Sequence, residues 1–564
     1  MLSHSPWTFA WLLLATACSE KDGSADTSAT AQGTQGTESV ATVLGNSSAT
    51  TMGATNTSAT LSTGASSGAV GSTGAPSTDG GNPQGSGGAP STSGSTTSAG
   101  GQSTGSDTST ATGATTTGGG GSSPSDCVPD GRAHNPLVTQ IFTADPNAIV
   151  YGDKVYVYTS HDEDGQEGFD MIDYHVYSSD DMVNWQDHGV IIHANSLPWA
   201  NNLYAPGACS KNGKYYLYIP NSGSAIGVAV ADDPGGPFVD PLGEPLITPS
   251  FPNANVPWLF DPACFIDDDG QAYLYFGGGS DGGQNARVVR LKEDMVSLQD
   301  SMATTIPTTA FFEASFMHKH EGKYYFSYSS DFSTDHGAAL EYLMSDSPMS
   351  GFQYVGKLLD NANVNRGNNN HGSIIEFGGK HYLFYHNRKL ETELGVDKIN
   401  NRSIAVQELS YAADGKIPTL TMSAEDYTIS QLKCLDGFAE VEAERLAQEH
   451  GIEVEGLAGE TVRVASIQNG DWVAYSQVDF RDGATSLVAQ VASAGGGGTI
   501  DILIDGCIGG AQGTSIGSCE VVSTGGADTF APLTCTLTET SGAHDLCLAF
   551  SGNPAFELDS FHLE

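Results

Sequence analysis

The chain has 564 residues, and 66 Asp plus Glu against 22 Lys plus Arg give it a formal charge of -44. A surface that acidic repels nucleic-acid phosphates and anionic lipid headgroups, so neither is an expected partner, whereas neutral polymers such as polysaccharides remain open. The length leaves room for several domains, but composition shows that not all of it folds.

The first residues, 1–18, read as an export signal. Trp7 to Ala17 (WTFAWLLLATA) is an apolar run ending in small residues and followed at once by Cys18. Leu-Ala-Thr-Ala-Cys resembles the lipobox of bacterial lipoproteins, which implies lipid attachment at Cys18 and an outer-membrane or cell-surface location. The segment ahead of the run has no Lys or Arg, and plain secretion is the alternative. The run is too short for a spanning helix, which needs ~20 residues. Residues 19–126 consist mostly of Ser, Thr, Gly and Ala, with no Lys or Arg between Lys21 and Arg132. They bury too little apolar surface to offset their ordering entropy and are expected to form a disordered tether. Its root-mean-square span is on the order of 55 Å, enough to let an anchored enzyme reach a bulky substrate; a plain spacer is the simpler alternative.

With Cys18 assigned to lipid, eight cysteines remain, an even number that suggests disulfides outside the cytoplasm. Sequence does not fix the pairing; the expectation is Cys507 with Cys519, Cys535 with Cys547, and Cys127 with Cys434. No Cys/His spacing suggests zinc.

Residues 127–436 carry a fivefold repeat. Its units are ADPNAIVYGDKVYVYTS from Ala144, YAPGACSKNGKYYLYIP from Tyr204, FDPACFIDDDGQAYLYFGG from Phe260, FEASFMHKHEGKYYFSYSS from Phe312 and NHGSIIEFGGKHYLFYHN from Asn370. Each has a short apolar strand, a turn with Gly or Asp, and an aromatic strand of period two, which is a hairpin. The openings recur at 145, 205, 261, 313 and 371, a spacing that suits four-stranded blades. Five blades predict a five-bladed β-propeller in an all-β chain; a stacked solenoid fits less well, because weaker strands follow each hairpin. The innermost strands of a propeller line its axis, so Asp145, Ala205, Asp261, Glu313 and His371 are expected at one mouth of the channel. Gathering three carboxylates raises their pKa values and costs stability, as functional sites do; turn caps or a structural cation are the plainer alternatives. Glycoside hydrolysis needs such a set: one protonated acid for the leaving oxygen and one ionised carboxylate.

The segment from Asn135 to Arg402 resembles glycoside hydrolase family 43, through NPLVTQIFTADPNAIVYGDKVYVYTSHDED, FDPACFIDDDGQAYLYFGG, FFEASFMHKHEGKYYFSYS, NNNHGSIIEFGGKHYLFYHNR and NNRSIAV. Fructan-cleaving propellers share Asp-Pro-Asn but carry WMNDPNG, RDP and EC motifs where this chain has TADPNA, FDP and FEAS. The resemblance implies an inverting enzyme with Asp145 as general base, Asp261 as pKa-modulating and orienting residue and Glu313 as general acid. It implies that His371 helps hold calcium or its waters, that Arg402 contacts the sugar, and that His161, with Asp162 and Glu163, borders the pocket. Tyr204 stands where many members have Trp, which bears on the sugar preferred. The implied activity is release of pentose, α-L-arabinofuranose first and β-xylose second, from arabinoxylan, xylan or arabinan. A non-catalytic surface polysaccharide-binding protein is the reading from another class.

Residues 438–564 show alternating strands separated by Gly-rich turns, which predicts a β-sandwich of jelly-roll type. VEAERL, NGDWVAY, VASAGGGGTIDILIDG, STGGADTF and FELDSF resemble carbohydrate-binding module family 6. That likeness implies structural calcium at Glu442, Glu444 and Asp559. Trp472 is expected in the core rather than as a sugar platform. Ala527, Phe530, Glu557 and Ser560 depart from the module's usual residues, so the module either binds sugar or is a structural appendage. No organic cofactor and a monomer are expected.

Overall fold

The computed structural model describes residues 127–564 except 166–167, 281–282, 362–364, 366–368, 397–399, 424 and 426. The expected export signal, Cys18 and the tether lie outside the described residues.

The chain is all-β, and its middle region is a five-bladed propeller. Blade one comprises Thr143–Tyr151, Lys154–His161, Asp173–Ser179 and Trp185–His193, each antiparallel to the next. Blade two is built from Gly207–Lys211, Lys214–Pro220 and Ile226–Ala231. Blade three follows with Ala263–Ile266, Ala272–Phe276, Arg287–Arg290 and Thr304–Thr305. Blade four contains Phe311–His320, Lys323–Ser330, Ala339–Ser345 and Gln353–Asp360, and blade five Gly372–Phe377, Lys380–Asn387 and Ser403–Leu409. The opening hairpins turn where glycine supplies a positive φ, as at Gly152 (63°) and Gly322 (77°). The alternating aromatics of the second strands, among them Tyr158, Tyr218, Tyr275, Tyr328 and Tyr385, are fully buried.

Among the described residues blade five has three strands of its own, and the start of the propeller completes it. The Leu137 N–H donates to the Ile404 carbonyl at 2.9 Å, and the Asn135 side chain bonds both the N–H and the carbonyl of Val406. Arg132–His134 pairs with Tyr427–Ser430. A disulfide between Cys127 and Cys434 ties the two ends of this region, as expected.

The C-terminal module is a sandwich. One layer carries Trp472–Asp479, Thr499–Ile504, Thr514–Glu520 and Ala543–Ser551; the other carries Ala484–Ser493, Gly526–Thr540 and Glu557–Leu563. Val473, Tyr475, Leu487, Ile500, Leu548 and Phe561 are among the side chains buried between them. The module packs on blade one: Arg445–Leu446 adds an antiparallel edge to Trp185–His193, and Asn184 exchanges two hydrogen bonds with the backbone of Ser476.

Two expectations about this module are corrected. The disulfides are Cys507–Cys547 and Cys519–Cys535, not Cys507–Cys519 and Cys535–Cys547. Strand register explains this: Gly517 pairs antiparallel with Leu537, which places Cys519 opposite Cys535, and Leu503 pairs with Cys547, close to Cys507. Trp472 is not core. It starts its strand half-buried, stacks on His450 at 6.1 Å and lines a cleft of about 600 Å³ against the propeller. A further disulfide, Cys209–Cys264, joins the innermost strands of blades two and three.

Candidate active site

The opening residues of the five repeats do meet. Asp145, Ala205, Asp261 and Glu313 line one cleft of about 570 Å³, together with Arg402 and Asn369. His371 lies beside them, with Nδ1 3.6 Å from Asp145 Oδ1 and 4.0 Å from Asp261 Oδ2. The backbone bends where the acids emerge. Register slips between Ala144 and Asn147 and again on either side of Glu313, and such bulges re-aim side chains at sheet ends. Asp145 (φ 54°), Asp261 (φ 48°) and Ala314 (φ 61°) hold left-handed conformations, each of which costs on the order of 1–3 kcal/mol. The surrounding blades hold that strain.

Asp145 is enclosed by donors. Its Oδ1 accepts from Arg402 Nη1 at 2.8 Å and its Oδ2 from the Ser160 hydroxyl at 2.7 Å. Its own N–H donates to His386 Nδ1 at 3.1 Å, which leaves His386 Nε2 facing the Asn369 carbonyl at 3.3 Å. Burial pushes the Asp145 carboxyl up, but the Arg402 guanidinium outweighs it and holds the group well below the usual carboxylate range. Asp145 is therefore ionised at neutral pH.

Glu313 is the opposite case. Burial and then the neighbouring Asp145 charge push its carboxyl up to about 8, against the relief from Arg402 and the Asn369 amide that donates to Oε1 at 2.6 Å. Asp261 is pushed up too, by burial and then by Glu313 and Asp145, while its Oδ2 accepts from the Ala314 N–H at 2.6 Å. The Asp261–Glu313 pair thus keeps a proton at neutral pH beside an ionised Asp145. Burial lowers the His371 imidazole to about 4, so it is neutral.

Arg402 is fixed from behind. Asp162 accepts from its Nε at 2.9 Å, its Nη2 at 2.7 Å and its backbone N–H at 2.9 Å. Nη1 is shared between Asp145 and Asn369 Oδ1 at 2.9 Å. The guanidinium lies 5.2 Å from the centroid of the Phe169 ring. Such a two-sided fork is a task for arginine rather than lysine.

Tyr204 lines the cleft, edge-on to Phe169 and Phe260. Trp258 stacks on Phe260 and meets Phe312 edge-on at 5.2 Å, with Phe332 beyond it. Apolar walls around a few convergent polar groups are what a sugar-sized ligand needs. His161 is corrected: it does not line the cleft but pairs with Asp173 at 2.9 Å, because its neighbour Asp162, not His161, points inward to Arg402. Asp162, Ser160, Asn369 and His386 are site residues outside the opening positions of the repeats. A polar side chain in the aromatic strand Lys380–Asn387 was the one available signal for His386.

Glu442, Glu444 and Asp559 line a second cleft between the sandwich and blade one. Burial, then neighbouring acids, push all three carboxyls up; for Glu444 backbone hydrogen bonding only partly opposes this. Glu444 Oε2 is buried with no hydrogen-bond partner among the described residues. An oxygen set of this kind fits a hard cation.

Residues 133–417 match glycosyl hydrolases family 43, and residues 442–564 match carbohydrate binding module family 6. Among curated relatives, an arabinoxylan arabinofuranohydrolase of Paenibacillus polymyxa is 37% identical over 74% of this chain and 72% of its own length. Another of the same name from Bacillus subtilis (strain 168) is 38% identical over 76% of this chain and 91% of its own. A crystal structure of a family 43 arabinoxylan arabinofuranohydrolase from Bacillus subtilis, in complex with cellotetraose, superposes with a TM-score of 0.70 at 35% identity, covering 76% of this chain and 97% of that one. With its three acids at the mouth of a five-bladed propeller, the chain belongs to glycoside hydrolase family 43.

Proposed function

We propose that the protein releases α-L-arabinofuranose from arabinoxylan with inversion at the anomeric carbon. The observation that carries this is the opposite protonation of two buried carboxyls in one cleft: Asp145 ionised, Glu313 protonated. Two arabinoxylan arabinofuranohydrolases aligned over most of the chain support the sugar and the polymer.

In this mechanism Asp145 takes a proton from water as the water oxygen attacks the anomeric carbon. Glu313 gives its proton to the departing xylan oxygen as the glycosidic bond breaks. Asp261, itself pushed up by burial and then by the Glu313 and Asp145 charges, is the second carboxyl of the pair that holds the proton, and the Ala314 N–H donating to its Oδ2 fixes its orientation. Arg402 holds the base ionised and reaches the sugar from the cleft floor. Exchange of protons with solvent resets the pair. Chromatography of products from wheat arabinoxylan tests the substrate: arabinose alone supports it, xylose as the main product favours a β-xylosidase, and tight binding without any product favours a binding protein.

Calcium bound by Glu442, Glu444 and Asp559 would neutralise acids otherwise forced together at the seam with blade one. His371, neutral and beyond hydrogen-bond reach of Asp145 and Asp261, is suited to hold the waters of a second calcium by hydrogen bonds. Export, with lipid attachment at Cys18, fits a polymeric substrate outside the cell.

A further inference from the structure

His161 lies next to the cleft without lining it, in company the glycosidase chemistry does not use. Its strand, Lys154–His161, runs antiparallel to Asp173–Ser179, with Thr159 opposite His175 and Ser160 opposite Tyr174. By that register His161 faces Asp173, and His175 sits two residues further along on the same sheet face. One nitrogen or oxygen from each of His161, Asp173 and His175 lies within 4.8 Å of the other two. Glu163 Oε1 approaches at 3.6 Å from His161 Nδ1. The three side chains are largely buried, and the imidazole rings meet edge to face at 5.6 Å.

The surroundings resemble a prepared site more than a chance cluster. His175 Nδ1 lies 3.2 Å from Asp187 Oδ1. That carboxylate is itself fixed by the Gly189 N–H at 2.8 Å and the Gln140 amide at 3.2 Å. Asp187 thus holds the His175 Nδ1–H and turns the Nε2 lone pair away from itself, the arrangement that orients metal-binding imidazoles in proteins. Two imidazole nitrogens and a carboxylate suit a borderline divalent ion, whereas calcium takes oxygen ligands.

We propose that His161, Asp173 and His175, with Glu163 at their edge, bind one divalent transition-metal ion of the zinc class. The site stands at the root of a cleft wall. Asp162, which grips Arg402, lies between two of these residues in sequence. Phe169 and Met171, shortly before Asp173, line the cleft. Glu163 and Asp170 are already drawn together by the Glu163 N–H donating to the Asp170 carbonyl at 3.1 Å. An ion held by Glu163 and Asp173 would pin both residues at once, making the wall a metal-fastened element separate from the calcium cleft.

The test uses the full chain, stripped with chelator and reloaded with calcium. Zinc titrated by calorimetry should bind with one equivalent, cobalt(II) should give visible d–d absorption, and zinc should raise the melting temperature. His175→Gln and Asp173→Asn should each weaken zinc binding by at least about 100-fold, the upper end of the cost of losing a mere outer-sphere partner. Glu444→Gln should leave it unchanged. If both variants fail to fold, modification of His161 in the parent by diethyl pyrocarbonate decides: zinc must protect it. Absence of saturable binding, equal affinity in His175→Gln, or an unprotected His161 would each overturn the proposal.

Discussion

Replacing Glu313 by Gln removes one proton donor and leaves the shape of the cleft. At pH 7 a carboxyl of pKa about 8 is roughly nine-tenths protonated. Proton donation of this kind contributes about 10²–10⁴ in rate, and its worth depends on the leaving group. A xylan hydroxyl departs poorly without a proton; a nitrophenolate departs readily. Glu313→Gln should therefore lower kcat/KM by about 10³ on arabinoxylan but by only about tenfold on nitrophenyl arabinofuranoside. In the parent, kcat/KM should fall with rising pH through about 8, as Glu313 loses its proton. Stability carries the same signature. The folded pKa lies above the unfolded value, so the folded state binds more protons, and stability declines as pH rises through the window between the two values. At about 1.4 kcal/mol per unit, the variant should match the parent near pH 5 and exceed it by roughly 2–4 kcal/mol near pH 8. Urea melts at the two pH values, with initial rates on both substrates, measure all of this. Equal losses on the two substrates, or an unchanged stability difference between pH 5 and 8, would refute the role given to Glu313.

Asp162→Asn leaves the buried Arg402 short of one counter-charge and should cost about 3–5 kcal/mol in denaturant melts, with a fall in kcat. Replacing Cys209 and Cys264 together by Ser opens a loop with a sequence separation of 55. Chain entropy puts the loss at up to about 4 kcal/mol, and kcat should survive below the new melting temperature. Chelation should lower the melting temperature of the parent, and it should lower that of Glu444→Gln by less, because one bound ion is already lost there.

The repeat was legible because its signal is short-range: each hairpin announces itself within twenty residues by a turn glycine and alternating aromatics. The meeting of Asp145, Asp261 and Glu313 followed from propeller geometry, since equivalent positions in successive blades converge. What escaped was set by partners distant in sequence. Ser160 and His386 reach Asp145 from equivalent places on the second strands of blades one and five, where the residue type changes from blade to blade, and Asn369 reaches Glu313 from a loop. His161 was misplaced because alternation along a strand end decides whether a residue or its neighbour faces the cleft; here Asp162 does. The sandwich disulfides failed for a related reason: spacings near a dozen residues suggested local pairs, whereas the register of neighbouring strands selected Cys507 with Cys547. Trp472 looked like core by its strand pattern, yet stands at the edge against His450, where the propeller approaches.

The central claim is that Asp145 activates water while Glu313 protonates the leaving oxygen in a single displacement. Proton NMR of the arabinose first released, recorded before mutarotation, tests it most directly. The first product expected from an α-linked substrate is β-arabinofuranose, with no product from Asp145→Asn. Initial release of α-arabinofuranose would contradict it, because retention requires a covalent intermediate and a nucleophile where Asp145 stands as base.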